Sequence, residues 1–350
     1  HNSNLSNGYM FEEPDQDEIL IQSTKEPLVE IFQHKGSSEC NVDLNDPLCN
    51  FEQLPYKDFR SKFQNDLSSS PDSSFVREAL GKGLLSQDRQ SINPLKFGVI
   101  ASTDTHLGTP GAVDESSFQG HGGAGKSFRS SIPEGLPDDI EFNPGGLAVA
   151  WAEENSRSAI FDAFQRKEVY GTSGPRFIVR FFVGDNLDKN LCNNPDNISY
   201  AYANATPMGG TIASDSLSQP SIFISASADS SIKDQFIEKL QVVKGVVRNG
   251  ELLTTVHDVG VTNAQSKLDI ANCEVTGSGE KAMCSVWNDP NFNSSENAYY
   301  YVRVVANKSC RWSHNLCLQN PEYCEADSDA SIPKVIQERA WTSPIWLETT

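Results

Sequence analysis

Two short apolar runs, residues 28–32 and 97–101, predict buried strands that end in reactive side chains. Both runs are rich in β-branched and aromatic residues, which is typical of strands buried in a sheet. Polar residues follow each run at once: Lys35 and Glu39 come after the first, and Asp104 and His106 come after the second. The pattern therefore predicts chemistry at the carboxyl ends of two strands.

The segment between these strands has the spacing of a helix. Phe75, Val76, Ala79 and Leu80 would share one helix face. Strand, helix and strand in this order indicate a parallel sheet, whose active-site residues collect at the carboxyl ends of the strands. A loop rich in Gly, Ser and Pro over residues 113–146 is typical of a lid over a site.

A third strand is predicted within residues 145–154, and an amphipathic helix within residues 155–170. Asn155 is the predicted N-cap of that helix, and Ile160, Phe161 and Phe164 are predicted to face inward.

The pattern of apolar and polar residues changes near residue 184. Beyond it, short apolar segments alternate with turns rich in Asn, Asp, Gly and Ser, which predicts antiparallel strands in a sandwich-like arrangement. We therefore expect an α/β domain over residues 1–183 and a β-rich domain over residues 184–350.

Charge and composition exclude several classes of protein. The 350 residues are 37% hydrophobic and carry a net charge of −19, so the chain is globular and acidic. A nucleic-acid-binding surface needs a basic stripe, and the sequence shows none. No apolar run approaches the roughly 20 residues that a membrane span needs.

Eight cysteines indicate an oxidising compartment, so the sequence predicts a periplasmic or secreted protein. Their spacings predict a bridge from Cys40 to Cys49 and another from Cys273 to Cys284. Cys310, Cys317 and Cys324 would form one bridge among themselves or reach Cys192. Zinc binding and inert buried thiols are the alternatives, although nearby histidines do not complete a tetrahedral zinc site.

Asp104 and His106 are the first candidates for a metal site. A carboxylate and an imidazole two residues apart, before a loop of Gly and Pro, can hold Zn, Mn or Fe. The alternative is an ordinary polar loop. Lys35 and Arg176 could bind the phosphate of a substrate, or could form salt bridges instead. His34, His121, His257 and His314 are predicted to be structural or surface residues.

Known local motifs for phosphate loops, dinucleotide binding, serine hydrolases and zinc proteases are missing from the sequence. A metal-dependent hydrolase remains, in which a metal-bound water attacks a phosphoester or a related ester.

Several long segments resemble one bacterial family. IASTDTHLGTPGAV, the stretch from GGLAVAWAEENSR to GPRFIVRFF, and IQERAWTSPIW are similar, in this order, to the family called domain of unknown function 3604. That family belongs with the PHP (polymerase and histidinol phosphatase) metal-dependent hydrolases. The resemblance covers nearly the whole chain.

The resemblance implies roles for individual residues. HNSNLSNGYMF is similar to a family segment that makes His1 a metal ligand, together with Asp104 and His106. Glu39 would serve the site as a catalytic residue, and Glu30 lies in the same segment. His1, Glu39, Asp104 and His106 are therefore expected to converge.

The fold implied is the C-terminal part of a distorted (β/α)7 PHP-like barrel, followed by the β-rich domain. The first PHP motifs would lie upstream of His1, so the resemblance implies a fragment with weak metal binding and no activity. We expect a small-molecule phosphoester as the substrate in the complete protein. The alternative is a non-catalytic extracytoplasmic protein that binds a ligand or a partner.

Overall fold

The computed structural model describes residues 21, 24–42, 45–53, 75–106, 108, 110–118, 142–263, 266–319, 321 and 333–349. These residues form a mixed α/β structure in which strands predominate. The α-helices of the described part are α1 (Val76–Gln90), α2 (Arg157–Gln165), α3 (Asn197–Asn204) and α4 (Trp312–Gln319).

The strands of the described part are β1 (Leu28–Gln33), β2 (Gly36–Ser37), β3 (Gly98–Ala101), β4 (Leu147–Ala150), β5 (Val169–Thr172), β6 (Ile178–Asp185), β7 (Ala205–Pro207), β8 (Thr211–Ala213), β9 (Pro220–Ser227), β10 (Ile237–Arg248), β11 (Glu251–Val261), β12 (Lys267–Asp269), β13 (Glu274–Thr276), β14 (Ala282–Asn288), β15 (Ala298–Cys310), β16 (Val335–Thr342) and β17 (Ile345–Glu348).

The two strands predicted to carry the site are neighbours. β1 and β3 pair in parallel, with Leu28 opposite Gly98 and Phe32 opposite Ala101. α1 lies between them in sequence and buries Val76, Ala79, Leu80 and Leu84, because these positions share one helix face. The predicted strand–helix–strand unit and its parallel pairing are therefore confirmed.

A sheet of eight strands dominates the rest of the molecule. Its main order is β11-β10-β15-β16-β5-β4, and β17 and β8 pair beside β15. β4 is the predicted third strand, but it pairs antiparallel with β5 in this sheet. The large sheet thus combines strands from both sides of the boundary predicted at residue 183, which itself lies within β6.

The central strands are apolar at nearly every position, because successive side chains point to opposite faces of the sheet and both faces are buried there. On β15, Tyr300 and Val302 pack into a core shared with the four-stranded sheet β14-β9-β6-β7. Tyr299 and Tyr301 point to the other face and pack against β1, β3 and α1. The central strands of the large sheet are buried on both faces, and one face packs against the four-stranded sheet.

The disulfides confirm one predicted bridge and contradict another. Cys40 pairs with Cys49, as predicted. Cys273 pairs with Cys310 and Cys192 with Cys284, so the prediction of a local Cys273–Cys284 bridge is wrong. Sheet pairing causes the difference: Cys284 lies in β14, and Cys310 ends β15. Cys317 is also disulfide-bonded, and Cys324 lies outside the described residues.

Helix α2 begins one residue later than predicted. Ser156, and not Asn155, is the N-cap, because its hydroxyl accepts a hydrogen bond from the Ala159 N–H at 3.2 Å. Phe161 is 58% exposed, so the prediction that it faces inward is wrong. Ala163 is the buried residue of this helix.

No closed barrel forms within the described ranges, where β1 and β3 belong to a sheet of three strands that includes β2. None of the helices in this part of the chain is both long and apolar enough to span a bilayer. The three disulfides that join described cysteines are consistent with an extracellular or secreted protein.

Candidate functional site

Parallel pairing brings the polar residues after β1 next to those after β3. His34 and Lys35 follow β1 directly, and Asp104 and His106 lie a few residues after β3. The Lys35 ammonium forms an ion pair with Asp104 Oδ2. His34 Nδ1 lies 3.9 Å from the same oxygen, and His106 Nε2 lies 3.9 Å from Asp104 Oδ1. We call these four residues the strand-end cluster.

Asp104 is the centre of this cluster. Its backbone has a φ of 52°, a left-handed conformation that Asp tolerates better than most residues. Partial burial opposes ionisation, but the hydrogen bond and the charge of Lys35 outweigh it and lower the pKa of the carboxyl group. Asp104 is therefore a carboxylate at neutral pH, and its side chain is 28% exposed.

His34 belongs to the cluster, although it was predicted to be a structural or surface residue. It is fully buried, and its Nδ1 lies 2.7 Å from the Thr103 carbonyl oxygen. Nδ1 therefore carries the proton of the neutral ring, which leaves Nε2 as the basic nitrogen. Burial and the nearby Lys35 charge lower the pKa of His34 to about 4. The sequence feature that could have identified His34 as a member of the cluster is its position directly after β1.

The segment over residues 142–146 holds the two strand ends together. The Asn143 N–H donates to the His34 carbonyl, and the Gly146 N–H donates to the Ser102 carbonyl, both at 2.8 Å. Between them, Gly145 has a φ of +94°, and a Cβ there would lie 2.7 Å from Thr103 Cα. Glycine is required at this position because a side chain would collide with the backbone after β3.

The donor atoms of this cluster suit a divalent metal ion, although no three His or Asp ligand atoms of the cluster lie within 4.8 Å of one another. Two ligands held tetrahedrally at about 2.1 Å from one ion lie roughly 3.4 Å apart. Asp104 Oδ1 and His106 Nε2 are 3.9 Å apart, and the His106 side chain is 57% exposed. A small rotation of that exposed ring would bring the two atoms to the required separation. A neutral His34 could add a second imidazole.

Glu39 lies in a buried ionic network. Its Oε1 accepts hydrogen bonds from Arg77 at 2.7 Å, Tyr301 at 2.8 Å and Arg303 at 2.9 Å. Its Oε2 accepts one from the Trp341 indole at 2.7 Å. These contacts give Glu39 a structural role between β2 and the large sheet, and its predicted catalytic role stays a prediction.

Neighbouring arginines keep the carboxyl group of Glu39 ionised. Burial opposes its ionisation, but the guanidinium groups of Arg303, Arg77 and Arg339 outweigh burial and hold the pKa of its carboxyl group well below the usual range. Asp46 accepts from Arg77 and Arg303 in the same network.

Glu30 lies next to the strand-end cluster. Its carboxylate accepts hydrogen bonds from the Ser102 hydroxyl and from the Gln33 amide. The Gln33 side-chain oxygen in turn accepts from the Lys35 backbone N–H at 3.2 Å. Glu30 thus ties the two strand ends together beside the ion pair.

Arg176 is exposed and does not belong to the strand-end cluster. Its backbone N–H donates to Asp229 Oδ2 at 2.7 Å. His1 lies outside the described residues, as does most of the predicted lid. The structure thus brings together Lys35, Asp104 and His106 from the predicted set and adds His34 to them.

Comparison with known proteins gives one match. A family model described as "Protein of unknown function (DUF3604)" matches residues 1–349. No curated protein and no solved structure matches the chain.

Proposed function

This chain belongs to the DUF3604 family of proteins of unknown function, and we propose that it is a divalent-metal-dependent hydrolase of the phosphoesterase type. The observation that carries the proposal is the strand-end cluster, in which a carboxylate, two imidazoles and an ammonium group converge at the carboxyl ends of parallel strands. We also propose that β1 and β3 belong to a PHP-type (β/α)7 barrel. The protein would be periplasmic or secreted.

Asp104 and His106 would hold the metal, with His1 as a further ligand and the neutral His34 as an additional candidate. Zn, Mn or Fe suits this mixture of nitrogen and oxygen ligands. Once bound, such an ion supplies an acidified water and polarises the ester.

Each protein group has a separate task. Ionised Asp104 provides negative charge for the cation, and the Thr103 carbonyl orients the His34 ring. The Lys35 ammonium would leave Asp104 and bind a phosphoryl oxygen, where it stabilises the charge that develops during the reaction. The substrate would be a small-molecule phosphoester or a related ester.

The ion pair between Lys35 and Asp104 also favours a second candidate function. A lysine that neutralises the main carboxylate competes with a metal for it. A non-catalytic extracytoplasmic protein that binds a ligand or partner would retain this pair permanently.

Metal content and hydrolysis, measured on the complete gene product, test the first function. We expect the wild type to bind a divalent metal and to hydrolyse p-nitrophenyl phosphate or bis(p-nitrophenyl) phosphate. Asp104→Ala and His106→Ala should lose most of the bound metal and about 10²-fold or more in rate, because each removes a ligand. Elemental analysis and release of p-nitrophenol provide the readouts.

Matched controls are the exposed Asp162→Ala on α2 and His257→Ala on β11, both of which should retain metal and rate. Wild-type metal content and rate in both Asp104→Ala and His106→Ala would refute the proposal. A metal-free complete protein would favour the binding function instead.

A further inference from the structure

A second concave site lies apart from the strand-end cluster. It is a cleft of about 860 Å³, lined by the segment over residues 111–118, the loop over residues 229–235, β13 and the end of β15. The Cys273–Cys310 disulfide and Glu338 of β16 also line it. This volume is large enough for a small organic molecule.

Two carboxyl groups line the inner part of this cleft. Glu338 is 3% exposed, and its Oε2 accepts a hydrogen bond from the Ser173 hydroxyl. Glu115 Oε2 accepts a hydrogen bond from the Trp312 backbone N–H. Glu115 Oε1 is buried and has no hydrogen-bond partner among the described residues. A buried acceptor without a donor is costly, so it indicates a missing donor.

The Arg311 guanidinium, whose charge acts on both carboxyl groups, is already engaged. Arg311 donates through Nε and Nη2 to the Glu52 carboxylate at 3.0–3.1 Å. Burial and the charge of Glu52 raise the pKa of Glu338 to about 8, although Ser173, Arg339 and Arg311 oppose the rise. Burial and the charges of Glu338 and Glu52 raise the pKa of Glu115 well above its usual range. The carboxyl pair therefore retains a proton at neutral pH.

The cleft wall is also acidic. Asp229, Asp234 and Glu274 line it, whereas the basic residues that line it, Arg176 and Lys233, are exposed. Partial burial opposes ionisation of Asp229, but hydrogen bonds from Ser231 and the Arg176 N–H lower the pKa of its carboxyl group. The potential inside the cleft thus favours a cation.

We propose that this cleft binds a small organic cation with a primary ammonium group, which donates hydrogen bonds to Glu115 and Glu338. Three ammonium protons match two carboxyl groups that line the cleft, of which Glu115 Oε1 lacks a donor. The proposal is independent of the strand-end cluster.

Binding should release a proton. The ammonium group keeps its charge, so the carboxyl pair ionises fully and its proton passes to the buffer. The groups that act on Glu338 are Glu115, Glu52, Arg311 and Arg339.

Isothermal titration calorimetry with putrescine, and with 1,4-butanediol as its uncharged analogue, tests the proposal. We expect putrescine to bind the wild type at neutral pH with proton release, which buffers of different ionisation enthalpy reveal. Its affinity should rise as the pH approaches about 8, where the Glu338 carboxyl group ionises even without the ligand. The diol should bind at least about tenfold more weakly, because it carries no charge.

Glu115→Gln and Glu338→Gln keep the side-chain shape and remove the charge. Each should weaken putrescine binding about tenfold or more and reduce proton release, whereas Asp162→Asn on α2 should do neither. Thermal melting shows whether each variant is folded, and the comparison of the two ligands on the wild type needs no variant. Absence of putrescine binding at millimolar concentration, equal binding of the diol, or wild-type binding by both Gln variants would overturn the proposal.

Discussion

At the scale of single residues, Glu39 shows how much one buried carboxylate can organise. It accepts hydrogen bonds from groups on α1, β15 and β16, which are far apart in sequence. A buried ion pair is costly to form, but removal of one partner leaves the other charge uncompensated. The main contribution of Glu39 to stability is therefore the compensation of the buried charges of two arginines, and not the energy of its own hydrogen bonds.

Glu39→Gln should destabilise the protein by about 3–5 kcal/mol, because Arg77 and Arg303 lose a buried counter-charge while the side-chain shape is kept. Urea denaturation would measure the change in the free energy of unfolding. The metal content of the folded variant should equal that of the wild type, since the contacts of Glu39 are structural.

The exposed pair between Arg248 and Glu296 provides the control, and Glu296→Gln should leave the urea midpoint unchanged. A Glu39→Gln variant with wild-type stability but without metal would show instead that Glu39 serves the site.

Single residues also show what a sequence reveals about a site. Asp104 and His106 were identifiable because a D-x-H pair directly after a strand has recognisable chemistry. His34 was missed because a lone histidine has no such pattern. Its role depends on the Thr103 carbonyl, 69 residues away in the chain.

At the scale of elements, the parallel pair β1–β3 needs a tight segment across its end. Gly145 provides this contact, and a Cβ there would lie 2.7 Å from Thr103 Cα and 2.9 Å from the Ser102 carbonyl oxygen. Both neighbours are backbone atoms, which cannot rotate away as a side chain can.

Gly145→Ala should therefore destabilise the protein more than Gly250→Ala does. Gly250 also has a positive φ, of +78°, but its added Cβ would meet nothing within 4 Å. We expect about 1 kcal/mol for Gly250→Ala from backbone strain alone. Gly145→Ala should cost about 1–3 kcal/mol more from overpacking, and it should also weaken metal binding. Thermal or urea unfolding measures the difference, and equal costs would contradict the steric argument.

The positions of the strands and helices were easier to predict from the sequence than the strands with which each strand pairs. The apolar runs at residues 28–32 and 97–101 marked β1 and β3, and their parallel pairing followed from the helix between them. β4 was recognised as a strand, but nothing within residues 145–154 shows that its partner is antiparallel β5. Strand pairing depends on distant segments, and local composition does not carry that information.

At the scale of the whole molecule, the buried carboxyl pair Glu115–Glu338 makes stability depend on pH. The folded protein holds a proton that the unfolded chain releases near its normal glutamate pKa. Such a raised pKa stabilises the fold most at pH values below the unfolded pKa, and the contribution is lost as the pH rises through the folded pKa.

The contribution of this carboxyl pair to the free energy of unfolding should consequently decrease as the pH rises from about 5 to about 8, the folded pKa of Glu338. The decrease should be on the order of a few kcal/mol. Glu338→Gln should show a flatter profile over this range, because it cannot ionise. Urea denaturation at several pH values provides the measurement, and identical profiles for the two proteins would contradict the prediction.

The order of the strands in the sheets also determines which cysteines pair. Cys40 and Cys49 form a bridge that their spacing predicts, with a separation of 9 residues. Cys192 and Cys284 are separated by 92 residues. Cys192 follows β6 and Cys284 lies in β14, and both of these strands pair with β9 in the four-stranded sheet.

The order of the large sheet has a consequence for biosynthesis. β16 is synthesised after both β5 and β15 and lies between them, and β5 precedes it by more than 160 residues. Until residues 335–342 emerge from the ribosome, β5 and β15 lack their shared neighbour, and open strand edges attract other chains. A premature stop shortly before β16 would therefore yield an aggregating product, and not a smaller stable protein.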